Sequence, residues 1–337
     1  MSPTALANIA FEHERPESGS FAADIIAGLT AKPKRLPPKL FYDSTGSDLF
    51  ERITELPEYY PTRCELSILQ DHAADIAAII PEGAALIEFG SGSSRKTRLL
   101  LGAARKLSAY VPVDISAEFL DRQAAELRRE YPDIAMLPVA ADFCGPFALP
   151  AEIADKPRAG FFPGSTIGNL EPPEAAAFLR QAARTLGKDS VFVVGVDLIK
   201  DERVLNKAYN DSAGITAAFN RNLLVRINRE LGANIDIGNF EHHAFFNREL
   251  HRIEMHLASL KRHRLRVCGT SVEFRAGETI HTENSYKYTI EGFQALARGA
   301  GWMPRNVWTD AKKYFSVHVL ISAGEVSSGE AHLRLFE

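Results

Sequence analysis

Apolar residues along this chain fall into strand-length runs, each closed by glycine, proline or an acidic residue and followed by helical spacing. The run Ala84-Ala85-Leu86-Ile87-Glu88-Phe89 meets Gly90-Ser91-Gly92-Ser93-Ser94, after which Leu99, Leu100, Leu101 and Leu107 follow a helical pattern. Ala109-Tyr110-Val111-Pro112-Val113-Asp114 repeats the unit, and Ser116 is placed to cap a helix carrying Phe119, Leu120, Ala124 and Leu127. A third run, Ile134 to Val139, leads to Asp142-Phe143. A fourth, Gly160-Phe161-Phe162-Pro163, leads through a polar loop to a helix over Pro173 to Leu186. The fifth, Ser190 to Asp197, is apolar on both alternating faces, as a parallel strand buried on both sides should be. Five such units predict a doubly wound, mostly parallel α/β sheet.

After residue 198 the rhythm changes. Asp201 to Ala233 reads as helix, with Leu223, Ile227 and Leu231 on one face and an interruption near Gly214. Residues 240 to 287 switch to alternation: Ile253, Met255 and Leu257 oppose Arg252, Glu254 and His256, and Leu265 and Val267 oppose Arg264, Arg266 and Cys268. That pattern predicts a β-hairpin or small sheet with one wet face. From Thr289 a helix through Phe293, Leu296 and Ala297 precedes a short strand near Val307 and a run from Tyr314 to Ile321. Two strands so closely joined predict an antiparallel pair closing the sheet that began at residue 84. Residues 199–287 then form an insertion.

Composition narrows the partners. The 337 residues, 45% of them hydrophobic, can bury a large core, and Lys plus Arg total 39 against 43 for Asp plus Glu. With a net charge of −4 there is no basic field to hold a nucleic acid. Three widely spaced cysteines, Cys64, Cys144 and Cys268, match neither a zinc cluster nor a disulfide framework and point to a reducing cytoplasm. No apolar stretch is long enough to cross a membrane, the N-terminal stretch to Ile25 does not read as a cleaved signal, and no coiled-coil pattern demands association, so a monomer is expected. His242, His243, His251 and His256 lack a carboxylate or cysteine at ligand spacing and read as surface or core histidines, with no metal expected.

The candidate chemistry begins at the first glycine turn. A strand feeding Gly90-Ser91-Gly92 and a helix N-terminus aims free N–H groups at a ligand, and Asp114, ending the next strand, can accept both hydroxyls of a ribose. This much also fits a nicotinamide dehydrogenase. Two observations favour S-adenosylmethionine (SAM). Position 95 is Arg, which breaks the pyrophosphate fingerprint G-x-G-x-x-G, and the closing helix and strand pair at 290–322 resembles the C-terminal arrangement of class I methyltransferases. Asp142-Phe143 resembles their adenine-binding corner, with Asp142 accepting the amino hydrogens and Phe143 packing on the ring.

Three further segments are dense in functional residue types: Leu36-Pro37-Pro38-Lys39-Leu40-Phe41-Tyr42-Asp43 with Glu58-Tyr59-Tyr60-Pro61-Thr62-Arg63; Phe162-Pro163-Gly164-Ser165-Thr166-Ile167-Gly168-Asn169-Leu170; and Thr282-Glu283-Asn284-Ser285-Tyr286-Lys287-Tyr288. With the sheet between them they resemble the histidine Nα-methyltransferases of ergothioneine biosynthesis, over nearly the whole chain from about residue 20. The resemblance implies a class I SAM-binding domain over 63–198 and 288–337, and an α+β substrate domain over 17–62 and 199–287. It implies that Gly90, Lys96, Asp114, Asp142 and Phe143 contact SAM. It makes Asn169 and Tyr209 the clamp for the substrate carboxylate, Tyr42 and Tyr59 neighbours of its amine and ring, and Glu283 with Ser285 the readers of its imidazole. Thr166 and Asn284 are taken as further substrate contacts.

The implied product is trimethylhistidine (hercynine), formed by three successive transfers to L-histidine. A same-fold enzyme acting on another amine, such as a tryptophan derivative, is the alternative, against which Glu283 and Ser285 weigh. Methyl transfer depends on alignment of the amine lone pair and exclusion of water more than on a strong base. Tyr42 is the candidate catalytic residue, hydrogen-bonding the amine early and holding the methylated cation later through its ring. Met255 is either a wall of the pocket near the imidazole or ordinary strand core.

Overall fold

The computed structural model describes residues 19–92 and 94–323. Ser93 of the glycine turn, and the ends of the 17–62 and 288–337 segments at 17–18 and 324–337, lie outside them, as does most of the N-terminal stretch read above.

The central sheet is built from the predicted runs. In chain order it takes β2 (Ala85–Phe89), β3 (Ala109–Asp114), β4 (Ala135–Met136), β5 (Val139–Ala140), β6 (Arg158–Phe162), β7 (Val191–Asp197), β13 (Trp302–Thr309) and β14 (Phe315–Ser322). The order across it is β13-β14-β7-β6-β2-β3-β4, with β5 beside β4 on the β3 edge. Strands β2 to β7 pair in parallel. β14 runs antiparallel to both β7 and β13, which is the closing strand pair the C-terminal pattern predicts. Every residue of β2 and β7 is buried, because helices cover both faces.

The third run divides into two short strands. Between the Tyr110↔Met136 and Val113↔Val139 pairs lie Pro112 on one strand and Pro138 on the other, and neither has an N–H to donate to the ladder. Ser116 occupies the N-cap position of α5 (Ala117–Glu130), but its hydroxyl makes no capping bond; the Asp114 carboxylate instead accepts the Ser116 N–H at 3.1 Å. The following helix α6 begins one residue earlier than predicted, at Pro172, and runs to Leu186, entered through a capping box between Glu171 and Glu174.

A second core joins the early chain to the elements between residues 202 and 286. β1 (Lys34–Arg35), β8 (Phe240–Asn247), β9 (Arg252–Ser259) and β12 (Thr279–Tyr286) form a sheet ordered β1-β12-β9-β8, and β10 (His263–Val267) pairs with β11 (Thr270–Phe274) as a separate hairpin. α1 (Gly19–Thr30), α2 (Ser44–Thr54), α7 (Glu202–Tyr209) and α8 (Ile215–Leu231) pack with it. Ile25, Leu40, Phe41 and Ile53 from the early chain share one cluster with Leu205, Phe219, Leu223, Ile253, Met255 and Ile280. The predicted break near Gly214 separates α7 from α8, and the Asp211 carboxylate satisfies the free N–H groups of Ile215 and Thr216 at 2.8 Å each.

The expected wet face is present on the β10–β11 hairpin, where Arg264 and Arg266 are exposed opposite buried Leu265 and Val267, and absent from β9. The polar face of β9 is not wet: Arg252 is 9% and Glu254 7% exposed. Their charges are kept inside because they neutralise each other at 2.9 Å, while Arg252 also reaches Glu171, on the loop before α6, at 2.8 Å. This paired face fastens the smaller sheet to the helical layer of the larger one.

Candidate active site

A cavity of about 670 Å³ opens at the carboxyl ends of β2 and β3, the edge where doubly wound sheets take their ligands. Gly90, Lys96, Asp114, Asp142 and Phe143, the five cofactor candidates, all line it. Gly90 turns the chain with φ +76°, and a Cβ there would lie 3.2 Å from the Phe143 ring, so a side chain would be both strained and wedged against the cavity wall. Burial raises the Asp114 carboxyl above its ordinary value, while backbone N–H groups of Ser116, Ile115 and Ser91 work the other way. Glu88, whose carboxylate accepts the Thr97 hydroxyl at 2.8 Å, is pushed by burial up to about 7. Phe143 stands edge-on to Phe162 and Phe178, and Asp142 accepts the Cys144 N–H at 3.0 Å.

Lys96 is held by Glu65, a fully buried carboxylate on α3 (Tyr60–Ala77), at 2.6 Å. The same carboxylate accepts the Gly164 N–H at 2.8 Å. It can reach this position because residue 195 is glycine; a Cβ there would sit 2.0 Å from Glu65 Oε1. One acid on α3 thus ties the lysine of the first cavity to the loop that forms the second.

That second chamber, about 40 Å³, is lined by Tyr42, Tyr59, Thr166, Asn169, Tyr209, Glu283 and Ser285. Tyr42, Tyr59, Thr166 and Asn169 line both spaces, so the two communicate. Tyr42 stands edge-on to Phe50 and Phe219, and Tyr59 edge-on to Tyr209. Burial, reinforced in Tyr42 by the nearby Glu283, holds all three phenols well above their ordinary value, so each is a neutral hydroxyl rather than a phenolate. Burial also raises Glu283 to about 7, against a lowering by Lys287. The Tyr209 hydroxyl meets Ser285 Oγ at 2.8 Å. Thr166 and Asn169 lie on a single turn following Ser165, whose backbone is left-handed at φ 57° and whose hydroxyl accepts the Asp197 N–H at 2.9 Å.

Two sequence candidates stand elsewhere. Asn284 alternates to the opposite face of β12 from Glu283 and Ser285, and donates to Glu171 at 3.0 Å. Met255, paired with Glu283 across the ladder, is 1% exposed, packs in the smaller core and lines neither space. Among the histidines, His256 meets both a carboxylate and a second ring: it lies 3.0 Å from Glu254 and is stacked on His281, a grouping that no spacing in one segment reveals because His281 comes from another strand.

Set beside known proteins, residues 21–322 match the family model described as histidine-specific, SAM-dependent methyltransferase. This chain belongs to that family. It is 44% identical to the histidine N-alpha-methyltransferase of Mycolicibacterium smegmatis over 307 residues, covering 88% of this chain and 94% of that one. It is 42% identical to the enzyme of the same name from Mycobacterium tuberculosis over 296 residues, covering 85% and 90%. It is 34% identical to ergothioneine biosynthesis protein 1 of Neurospora crassa over 302 residues, covering 86% of this chain and 33% of that protein.

The cofactor of this methyltransferase family is SAM, and the larger cavity has features such a group requires: a glycine lip at φ +76°, a largely buried carboxylate in Asp114, and the partly buried ring of Phe143 in its lining. Four polar residues around the smaller chamber escaped the sequence reading. Tyr60, Asp197, Lys200 and Lys287 form a buried network in which the Asp197 carboxylate accepts from Tyr60 at 2.7 Å, from Lys287 at 2.8 Å and from Lys200. Burial opposes the charge on Asp197, but the two lysines prevail and hold its carboxyl below the ordinary range; burial depresses Lys200 to about 8. The available signal was Asp197 itself, an acid ending a buried strand in the manner of Glu88 and Asp114.

Proposed function

We propose that this methyltransferase transfers methyl groups from SAM to the α-amino nitrogen of L-histidine, three times in succession, giving trimethylhistidine (hercynine) for ergothioneine biosynthesis. The observation that carries the reading is the small chamber: the Glu283 carboxyl, with Asp197 already engaged by two lysines, shares a lining with the hydroxyls of Ser285 and Tyr209 in a space continuous with the glycine-lipped cavity. An imidazole offers one N–H and one lone pair, and this set complements both. A site so built rejects isosteres that leave its buried polar groups unpaired. The names and extent of the mycobacterial relatives support the same substrate.

SAM, when bound, supplies an electrophilic methyl on a sulfonium. In this reading Gly90, Lys96, Asp114, Asp142 and Phe143 hold it. Asn169 and Tyr209 donate to the substrate carboxylate, Glu283 and Ser285 read the ring, and Tyr42, Tyr59 and Thr166 wall the amine. Tyr42, held neutral, accepts or donates at the amine while N–H groups remain, and its ring face stabilises the quaternary product. Orientation and exclusion of water supply most of the acceleration. Residues 17–62 and 199–287 act as the substrate domain, 63–198 and 288–337 as the SAM-binding domain. The same reading makes the protein a cytoplasmic monomer whose partners are histidine and its methylated forms, with neither nucleic acid nor membrane; the unpaired thiols of Cys64, Cys144 and Cys268 are consistent with a reducing compartment. Among the described residues no helix is long and apolar enough to cross a membrane.

Incubation with SAM and the common amino acids, followed by mass spectrometry, tests the proposal. Histidine is expected to gain up to three methyl groups. Methylated tryptophan with no product from histidine would overturn the substrate assignment.

A further inference from the structure

Lys287 is fully buried at its side chain, lies behind the wall of the small chamber, and lines neither cavity. Its three N–H donors have three acceptors: Asp197 at 2.8 Å, Ser285 Oγ at 2.7 Å and the Tyr209 hydroxyl oxygen at 3.3 Å. An ammonium has no lone pair, so both hydroxyl oxygens can only accept from it. The hydroxyls also face each other at 2.8 Å. If Tyr209 donates to Ser285, the Ser285 proton must point elsewhere; if Ser285 donates to Tyr209, the phenol proton must. At least one O–H is therefore directed into the chamber, and both are when a ligand offers two acceptors. Without Lys287 the O–H not used between the pair is free to turn to the vacated side, which leaves a lone pair facing the ligand.

We infer that Lys287 is a positioning residue that makes Ser285 and Tyr209 obligate donors, so that this side of the chamber selects substrates presenting a carboxylate and an unprotonated ring nitrogen. The inference rests on the proposed reading that Ser285 faces the imidazole. Asp197, which lines the chamber, is itself neutralised from behind by Lys287 and Lys200, so its carboxylate is engaged by the two ammonium groups. Lys287 comes to this place because it follows the end of β12, where Leu198 and Tyr288 form a bridge between the smaller sheet and the end of β7.

The test is the preference for L-histidine over L-2-thienylalanine, whose ring neither donates nor accepts, measured as a ratio of dissociation constants with S-adenosylhomocysteine present. Ser285→Ala and Lys287→Met are each expected to lower that ratio by about tenfold or more, as loss of a discriminating buried hydrogen bond does. The double variant is expected to lower it no further, and Lys287→Gln, which keeps two donors, is expected to restore most of it. An unchanged ratio in Lys287→Met, or multiplying effects in the double variant, would overturn the inference. An unchanged ratio in Ser285→Ala would instead overturn the assignment of Ser285 to the ring, so the two failures are distinct. If Lys287→Met does not fold, the 2-pyrrolyl and 3-pyrrolyl isomers of alanine, whose single N–H replaces one or the other imidazole nitrogen, are compared in the unmodified protein and in Ser285→Ala. An obligate donor at Ser285 opposes the isomer whose N–H faces it, so the preference between the isomers should fall about tenfold in Ser285→Ala; a preference that is unchanged or larger there, as Glu283 alone would give, contradicts the inference.

Discussion

Glu283→Gln separates the cost of building this site from its use. Burial raises the Glu283 carboxyl from 4.5 to about 7. The folded protein therefore binds that proton more tightly than the unfolded chain, and the stability from this group is present at low pH and lost as pH rises from 4.5 towards 7. Linkage over the window from about pH 5.5 to about pH 8 puts the loss at ~2 kcal/mol. Gln does not titrate, so the variant is expected to gain about that much relative to the parent across the window. Glu88, also raised to about 7, is common to both proteins and cancels in the comparison. Denaturant unfolding at the two pH values without ligand measures the difference. Histidine affinity at the higher pH should fall by a factor of about 10 to 100, since an ionised acceptor is replaced by a neutral amide. Stability profiles of parent and variant that run parallel would refute the claim that this buried carboxyl titrates late, and an undiminished histidine affinity would refute its role in reading the ring.

Asp114→Asn should weaken SAM binding by about tenfold or more in calorimetry, because a largely buried carboxylate facing the larger cavity loses its charge; an unchanged affinity would place the cofactor elsewhere. Tyr42→Phe should slow the first methyl transfer about five- to tenfold while leaving the ring face intact, and single-turnover mass analysis showing every step unchanged would remove Tyr42 from the chemistry. Met255→Ala should cost about 2 to 5 kcal/mol in unfolding experiments, as loss of a fully buried side chain does, with little change in the KM for histidine; a large KM effect without loss of stability would return Met255 to the pocket.

Much of the fold is legible in the chain because it rests on local patterns. Strand-length apolar runs ending at Gly90, Asp114 and Asp197, and the closely spaced runs after Thr289, are enough to place a parallel sheet with an antiparallel closing pair. The motif strings around Tyr42, Tyr59, Asn169 and Glu283 identify the residues that converge on the smaller chamber, because each string keeps its functional side chains within a few residues.

The spacing could not show which side chains of a string face inward. β12 sends Glu283 and Ser285 to the chamber and Asn284 to Glu171, and that register exists only once β9 and β1 pair on either side. Nor do Tyr60 and the charged residues at 65, 197, 200 and 287 advertise a buried network, since alternation and composition treat such charges as exposed. Their burial is decided by long-range approach: Gly195 admits Glu65, and the bridge between Leu198 and Tyr288 brings Lys287 to Asp197. Local hydrophobic period determined the elements and the family strings named residues that line the two cavities. Only tertiary packing decided which charges are desolvated together, and hence which way the hydroxyls of the site point their protons.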